Sequence, residues 1–208
     1  MKISEAPFQD SDLWEQLPAG PRRLLAQAAA YEFGRRGYHA TTTRDIAVHA
    51  GMSPAGLYAH YASKAELLFI ISRIGHQSVL EQTMAAADDI PDGPARLHAI
   101  VRAFTKWHAK HHTLARVLQY EIRSLEPDHF QIIADIRRQT EGFIADTLEQ
   151  VTNDPKLLRV QTAAILSLGI DTARWFSATK PISADELADG YAELVLRMTH
   201  VPMPLAKA

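Results

Sequence analysis

Residues 41–68 read TTTRDIAVHAGMSPAGLYAHYASKAELL, and the punctuation inside this stretch decides how the rest of the chain is read. Thr42 stands three residues before Asp45, the spacing of a capping box, and Ile46, Ala47 and Ala50 follow on one helical face. Gly51 supplies a position where the chain can take a positive φ and turn sharply. Ser53 caps a second helix and Pro54 occupies its first turn. Ser63 and Glu66 repeat the capping-box spacing and open a longer helix through Leu67, Leu68, Ile71, Ile74 and Val79. The second helix carries Gly56 in its middle, where a glycine costs roughly 1 kcal/mol relative to alanine.

Two short capped helices joined by a glycine turn are the layout of a DNA-binding helix-turn-helix. Upstream, Pro21 opens a helix that places Leu24, Leu25, Ala28, Ala29 and Phe33 on one face, and Gly37 closes it. Ile46, Ala47, Ala50, Leu57 and Tyr61 are expected to pack against that face. The start of the first short helix, Thr42, Thr43 and Arg44, is then exposed and suits a phosphate or a base edge. On the second short helix Ser53, Pro54, Ala55, Gly56 and Ala59 face outward, small enough for the backbone to approach a major-groove floor. Tyr58, His60 and Lys64 flank them and suit phosphates, which set register while bases set specificity.

Residues 41–68 resemble the DNA-binding signature of TetR-type transcriptional regulators: a Thr-rich start, Ile-Ala-x-x-Ala-Gly, Ser-x-x-x-Leu-Tyr-x-His-aromatic, then Ser-Lys-x-Glu-Leu. The match covers roughly residues 20–75, with Met52 where valine is usual and Ala55 offering no polar base contact. The resemblance implies a homodimer whose paired N-terminal domains read adjacent major grooves of a pseudo-palindrome, a repressor released by a small-molecule effector, and no catalysis. It places Tyr58, His60 and Lys64 at phosphate-contacting positions. It also implies a variable C-terminal body that holds the effector and the dimer interface.

The rest of the chain carries helical periodicity with caps and scarce strand signals, roughly nine helices in all. The expected fold is all-α: an N-terminal extension over 1–19, a helix-turn-helix domain over 20–66 and a larger helical effector-binding and dimerisation domain over 67–208. The clearest break is Asp-Asp-Ile-Pro-Asp-Gly-Pro at 88–94. Beyond it helices are expected near 95–112, 114–125, 128–151, 156–178 and 183–200, the last opened by a Ser183/Glu186 capping box. The last two carry small and apolar residues suited to a dimer interface: Ala163, Ala164, Leu168, Gly169 and Ala173, then Ala188, Tyr191, Ala192 and Val195.

Arg174-Trp175-Phe176, Pro181 and the following SADELADGY resemble the C-terminal region of TetR-type regulators that respond to acyl-CoA thioesters. In those proteins the corresponding arginine senses the ligand, but a tryptophan one turn before it is Ile170 here. An arginine in an apolar pocket needs an anionic or carbonyl partner, and Asp171 or Glu121 could supply it without a ligand. Phe104, Trp107, His108, Tyr120, Phe143, Arg174 and Trp175 are the candidate effector-lining residues, each also a candidate for ordinary core.

Composition restricts the alternatives. The 208 residues include no cysteine, so thiolate metal sites and cysteine nucleophiles are excluded, and no cofactor is expected. No apolar run approaches the ~20 residues of a membrane span, and the acidic N-terminus is unlike a signal peptide, so a cytoplasmic protein is expected. The net charge is −2, but residues 20–76 hold seven Lys/Arg against three acids, a mildly basic module on an otherwise acidic chain. His108, His111 and His112 share one helix at a spacing that could ligate zinc, yet no carboxylate on that helix completes a site, so no metal is expected. This cluster is the one foothold for a rival reading as a metal-dependent enzyme; a DNA binder without an effector is the other.

Overall fold

The structure, a computed structural model, describes residues 12–152, 154–177 and 181–200. Among the described residues there are nine α-helices, three short 3-10 turns and no strand. The helices are α1 (Pro21–Arg36), α2 (Thr43–His49), α3 (Pro54–Tyr58), α4 (Lys64–Ala85), α5 (Pro94–Lys110), α6 (His112–Tyr120), α7 (Pro127–Glu149), α8 (Leu158–Trp175) and α9 (Ala184–His200). No described helix is long and apolar enough to cross a membrane.

The chain divides into two compact units. The first comprises Met1–Ser78 and Thr113–Arg137. Its core is built from the faces that the periodicity picks out: Leu25, Ala29 and Phe33 on α1, Ile46 and Ala47 on α2, then Leu57, Tyr61, Leu67 and Leu68, all buried. Leu24 departs from this pattern and is about half exposed. The neighbouring Leu25 takes the inward position, because adjacent helical residues point about 100° apart. The extension before α1 is not a loose tail from Asp12 onward: a 3-10 turn at Asp12–Gln16 buries Leu13, Trp14 and Leu17. The Arg23 guanidinium ties it down by donating to the Leu17 carbonyl. Residues 1–11 of the expected extension lie outside the described residues.

The grouping of α6 and the start of α7 with the N-terminal helices cuts across the domain boundary drawn from sequence near residue 67. Close packing explains it: a Cβ added at Gly75 on α4 would come within 2.4 Å of Leu118 Cδ1 on α6. Only glycine there lets the leucine sink against the α4 backbone.

The second unit comprises Val79–His112 and Arg138–Ala208. Its organising element is α5, whose Leu97, Ile100, Val101, Phe104 and Trp107 are buried as the amphipathic pattern requires. α5 packs on both α8 and α9. On the α9 side Arg102 bonds Asp185 and Asp189, and Lys106 Nζ reaches Asp185 Oδ1 at 2.6 Å. Ser183 and Glu186 form the expected cap on α9, with the Ser183 N–H donating to the Glu186 carboxylate at 2.8 Å and the Glu186 N–H to Ser183 Oγ at 3.2 Å. Most of the small residues expected at a dimer interface instead serve this core: Gly169, Ala173, Ala188, Ala192 and Val195 are buried within the chain.

On the α8 side a Cβ built at Gly169 would sit 2.4 Å from the Phe104 ring. Gly169→Ala should therefore destabilise the protein by about 1–3 kcal/mol, as overpacking in a closed core does. Urea unfolding checks this; an unchanged midpoint would show that the Phe104 ring can move away.

Candidate nucleic-acid interface

The geometry of residues 42–64 follows from their caps. Thr42 Oγ1 accepts the Asp45 N–H at 3.1 Å while the Asp45 carboxylate accepts the Thr42 N–H at 2.9 Å and its hydroxyl at 2.6 Å. These bonds hold the Asp45 carboxyl below its ordinary pKa. Gly51 takes φ 70, the turn expected of it. Ser53 Oγ accepts the Gly56 N–H at 3.1 Å, and α3 runs for only one and a half turns before Ala59. Tyr58 OH and Thr43 Oγ1 meet at 3.2 Å, joining the two short helices on their solvent side.

The outward face matches the sequence reading. Thr42, Arg44, Ser53, Pro54, Ala55 and Tyr58 are exposed, and Thr43, Gly56, His60 and Lys64 are partly exposed. A Cβ added at Gly56 would meet nothing in the chain closer than Ser53 Oγ at 3.4 Å. Packing inside the unit therefore does not require glycine there.

The rear of this surface is held by groups that the sequence does not announce. The Tyr61 hydroxyl donates to the Arg22 carbonyl at 2.9 Å, and Arg22 donates to the His60 carbonyl at 2.9 Å with its guanidinium 4.6 Å from the Tyr61 ring centre. Glu32 is buried on α1, where its carboxylate accepts from Arg36 at 2.6 and 2.9 Å and lies 3.0 Å from His49 Nδ1 on α2. Burial alone would raise the Glu32 pKa. The bonds from Arg36 and His49 and the charges of Arg36 and Arg35 outweigh it, so the carboxyl is held below its ordinary 4.5. The i, i+4 pair with Arg36 is readable from spacing; the His49 contact, across 17 residues, is not.

Lys64 differs from the sequence reading. Its ammonium is not simply offered to a phosphate: it donates to the Tyr38 and Thr41 carbonyls, each at 2.8 Å, and lies 4.2 Å from the Tyr38 ring centre. Burial lowers its pKa accordingly. Just beyond α6 the Glu121 carboxylate accepts the Tyr38 N–H at 3.0 Å, and Ser124 Oγ lies 3.2 Å from His39 Nε2. The turn between α1 and α2 is thus gripped by the first residue of α4 and by the residues that follow α6.

The expected effector-lining set is divided by the structure. Phe104 and Trp107 are buried core residues, and the His108 ring lies 4.5 and 5.2 Å from theirs, with Nδ1 2.8 Å from the Phe104 carbonyl. His111 contacts Trp107 at 4.8 Å, and His112 Nδ1 lies 3.0 Å from the Ala109 carbonyl. Phe143 lies against the Arg96 guanidinium at 5.8 Å. Tyr120 is exposed. Arg174 is exposed and pairs with Asp171 at 2.7 and 2.9 Å, one of the two partners that the sequence offered for it without a ligand, and does not enter an apolar pocket. Glu121, the other candidate partner, is engaged by Tyr38. Trp175 is partly buried and its ring lies 6.2 Å from that of Phe176.

Residues 25–70, which hold this interface, match the description "Bacterial regulatory proteins, tetR family", and residues 91–199 match "Tetracyclin repressor-like, C-terminal domain". The chain belongs to the TetR family. It is 30% identical to the HTH-type transcriptional repressor KstR2 of Mycobacterium tuberculosis, over 84% of this chain and 90% of that one. It is 28% identical to the HTH-type transcriptional activator FasR of Mycolicibacterium smegmatis, over 90% of this chain and 88% of that one. Among solved structures, a tetR-family regulatory protein from Rhodococcus RHA1 shares 42% identity and a TM-score of 0.79, covering 86% of this chain and 96% of that one. The protein is accordingly a TetR-type, DNA-binding transcriptional regulator, and these relatives include both a repressor and an activator.

Two tests follow for the reading head of this TetR-family chain. Lys64→Met should lower stability by roughly 1–3 kcal/mol, because two carbonyls lose a charged donor. Chemical denaturation without DNA checks it, and no loss would leave Lys64 with no structural duty. The lowered Glu32 pKa means its stabilisation is complete above about 4.5 and fades as pH falls through the folded value. Glu32→Gln should therefore show a shallower acid loss of stability than the parent below pH ~4.5, and identical acid limbs would remove Glu32 from the balance.

Proposed function

We propose that the chain acts as a homodimeric repressor that binds a pseudo-palindromic operator and leaves it when a small hydrophobic or acyl-CoA-type effector binds. The carrying observation is the outward face of α3, which presents Ser53, Pro54, Ala55 and Gly56 with no internal packing reason for glycine. Such a face lets the α3 backbone approach a major-groove floor, with an alanine methyl against a thymine methyl. Arg44 and the 53–56 stretch read bases; Thr42, Thr43, Tyr58, His60 and the remaining donor of Lys64 take phosphates. The sign of regulation follows KstR2, the closer in identity of the two named regulators.

The dimer reading gains support from the exposed sides of the last two helices. Val160 and Ala163 on α8 and Leu194 on α9 are exposed apolar residues, and Gly190 lies four residues before Leu194 on the same face. Reading successive major grooves as a dimer requires two α3 helices about 34–36 Å apart, or a multiple of that. An effector lifts repression only if it binds more tightly to a spacing that misses those grooves.

Gly56→Ala separates reading from folding. The variant should be as stable as the parent or more stable by up to ~1 kcal/mol, yet bind operator at least tenfold more weakly, as measured by fluorescence anisotropy. Undiminished affinity would show that α3 does not approach the DNA closely at Gly56.

A further inference from the structure

Helical spacing puts Glu32 in one row of α1 with Leu25, Ala28 and Ala29, all buried apolar residues, and Glu32 itself is only 4% exposed. A carboxylate in such a row is costly unless it is paired. Its two oxygens have different partners. Oε2 accepts from Arg36 Nε at 2.9 Å and Nη2 at 2.6 Å, with Arg35 Nη2 at 3.4 Å. Oε1 lies 3.0 Å from His49 Nδ1. Arg36 also reaches Asp45 Oδ1 at 3.5 Å, and Asp45 is the carboxylate that closes the Thr42 cap. Asp45 stands in the first turn of α2 and His49 is its last residue. One buried carboxylate therefore engages α2 at both ends, directly at His49 and through Arg36 at Asp45, within one compact unit.

The two connections differ in kind. A guanidinium keeps its charge throughout, whereas an imidazole ordinarily takes up a proton near pH ~6.5. A carboxylate only accepts. The neutral ring offers Nδ1 as a donor in one tautomer and as a lone pair in the other, while the protonated ring always donates and carries a charge. The groups facing His49 on α1 are Glu32 and the Tyr31 ring at 4.5 Å, with Arg35 and Arg36 beyond on the Oε2 side. On α2 itself Asp45 lies one turn back, and the C-terminal end of the helix favours a cation. Burial opposes the negative charge of Glu32, but the bonds from Arg36 and His49 outweigh it, and the carboxyl stays below its ordinary 4.5. It is thus an anion when the imidazole takes its proton. The His49 side chain keeps 23% of its surface exposed, so that proton arrives from solvent.

We infer that Glu32 and His49 are positioning residues for DNA reading, and that a proton on His49 fastens α2 in the orientation that reads the operator. This rests on the assignment of α2 and α3 to the DNA-contacting surface. Thr43 and Arg44 move with α2, and Tyr58 is joined to Thr43 at 3.2 Å. A loosened α2 lowers the fraction of heads in the competent arrangement, and apparent affinity falls by that fraction. The competent arrangement holds the proton more tightly, so specific binding strengthens as pH falls through the imidazole range. The gain reverses below about pH 4.5, where Glu32 loses its charge. Non-specific binding needs only cations near phosphates and does not depend on this arrangement.

The test uses the full chain and two duplexes: the tightest binder selected from a randomised library, and a scrambled duplex of the same length and composition. Fluorescence anisotropy at constant ionic strength gives the ratio of the two affinities. For the parent this ratio should rise at least threefold, an order-of-magnitude figure, between about pH 8 and about pH 5.5. His49→Gln should match the parent ratio at about pH 8 and show no rise. His49→Lys, charged at both values, should hold the raised ratio throughout. Glu32→Gln should lower the ratio roughly fivefold or more at about pH 5.5, with the affinity for the scrambled duplex within about twofold of the parent. A proton gained by a histidine against a phosphate, as proposed for His60, raises both affinities together and leaves the ratio unchanged. Because Glu32→Gln removes a buried anion and can lower stability, the two His49 variants, changed at a partly exposed position, carry the decision. A parent ratio indifferent to pH, or an equal rise in His49→Gln, would overturn the proposal while leaving DNA reading intact. Selection of no sequence by the parent would remove the DNA-contacting assignment and the proposal with it.

Discussion

The turn between α1 and α2 sets two backbone carbonyls, those of Tyr38 and Thr41, towards one point, and the Lys64 ammonium occupies that point. Neighbouring carbonyls so arranged repel unless a donor lies between them, and a charged donor is the strongest available. The consequence reaches in both directions along the chain. Thr41 immediately precedes the Thr42 cap of α2, and Lys64 is the first residue of α4. One ammonium therefore fixes the start of the helix-turn-helix to the start of the helix that leads out of it. With Glu32 and His49 holding α2 on α1, and Arg22 and Tyr61 holding the residues after α3, the short α3 needs no stability of its own.

That division of labour resolves the oddity of Gly56. A five-residue helix containing a glycine is a poor helix in isolation. Anchored from behind by Leu57 and Tyr61, it can keep only small side chains in front, as the close approach to a groove floor that we propose for it requires.

Most of the fold was legible because its signals are local. Caps at Thr42, Ser53 and Ser183, proline at the start of α1 and α3, and glycine at 37 and 51 each act within one turn of the chain, so spacing alone reveals them. Faces followed from periodicity, except that Leu24, placed on the inner face of α1 beside Leu25, is half exposed. The exposure of this surface was legible in the same measure: Thr42, Arg44, Ser53, Pro54, Ala55 and Tyr58 are exposed on the faces that the caps leave outward. What sequence could not give was partnership across distance. Lys64 with the carbonyls of 38 and 41, Glu32 with His49 and Glu121 with Tyr38 join residues 17 to 83 apart. The C-terminal set stayed open between two readings for a related reason: apolar aromatic residues on an amphipathic helix look alike whether they fill a core, as Phe104 does against Gly169, or line a cavity. For Arg174 the sequence offered both a ligand-sensing place, by resemblance, and a pairing with Asp171 one turn away; the pair is present at the surface.

The central claim is that α3, held from behind, reads paired half-sites in DNA. Selection of bound sequences from a randomised duplex library by the full-length protein, repeated across a range of salt, tests it most directly. The expected result is an inverted repeat whose half-site centres lie about one helical turn, 10–10.5 base pairs, or a multiple of it apart, with affinity falling as salt rises. Enrichment of no sequence, with binding that depends on salt alone, would contradict it.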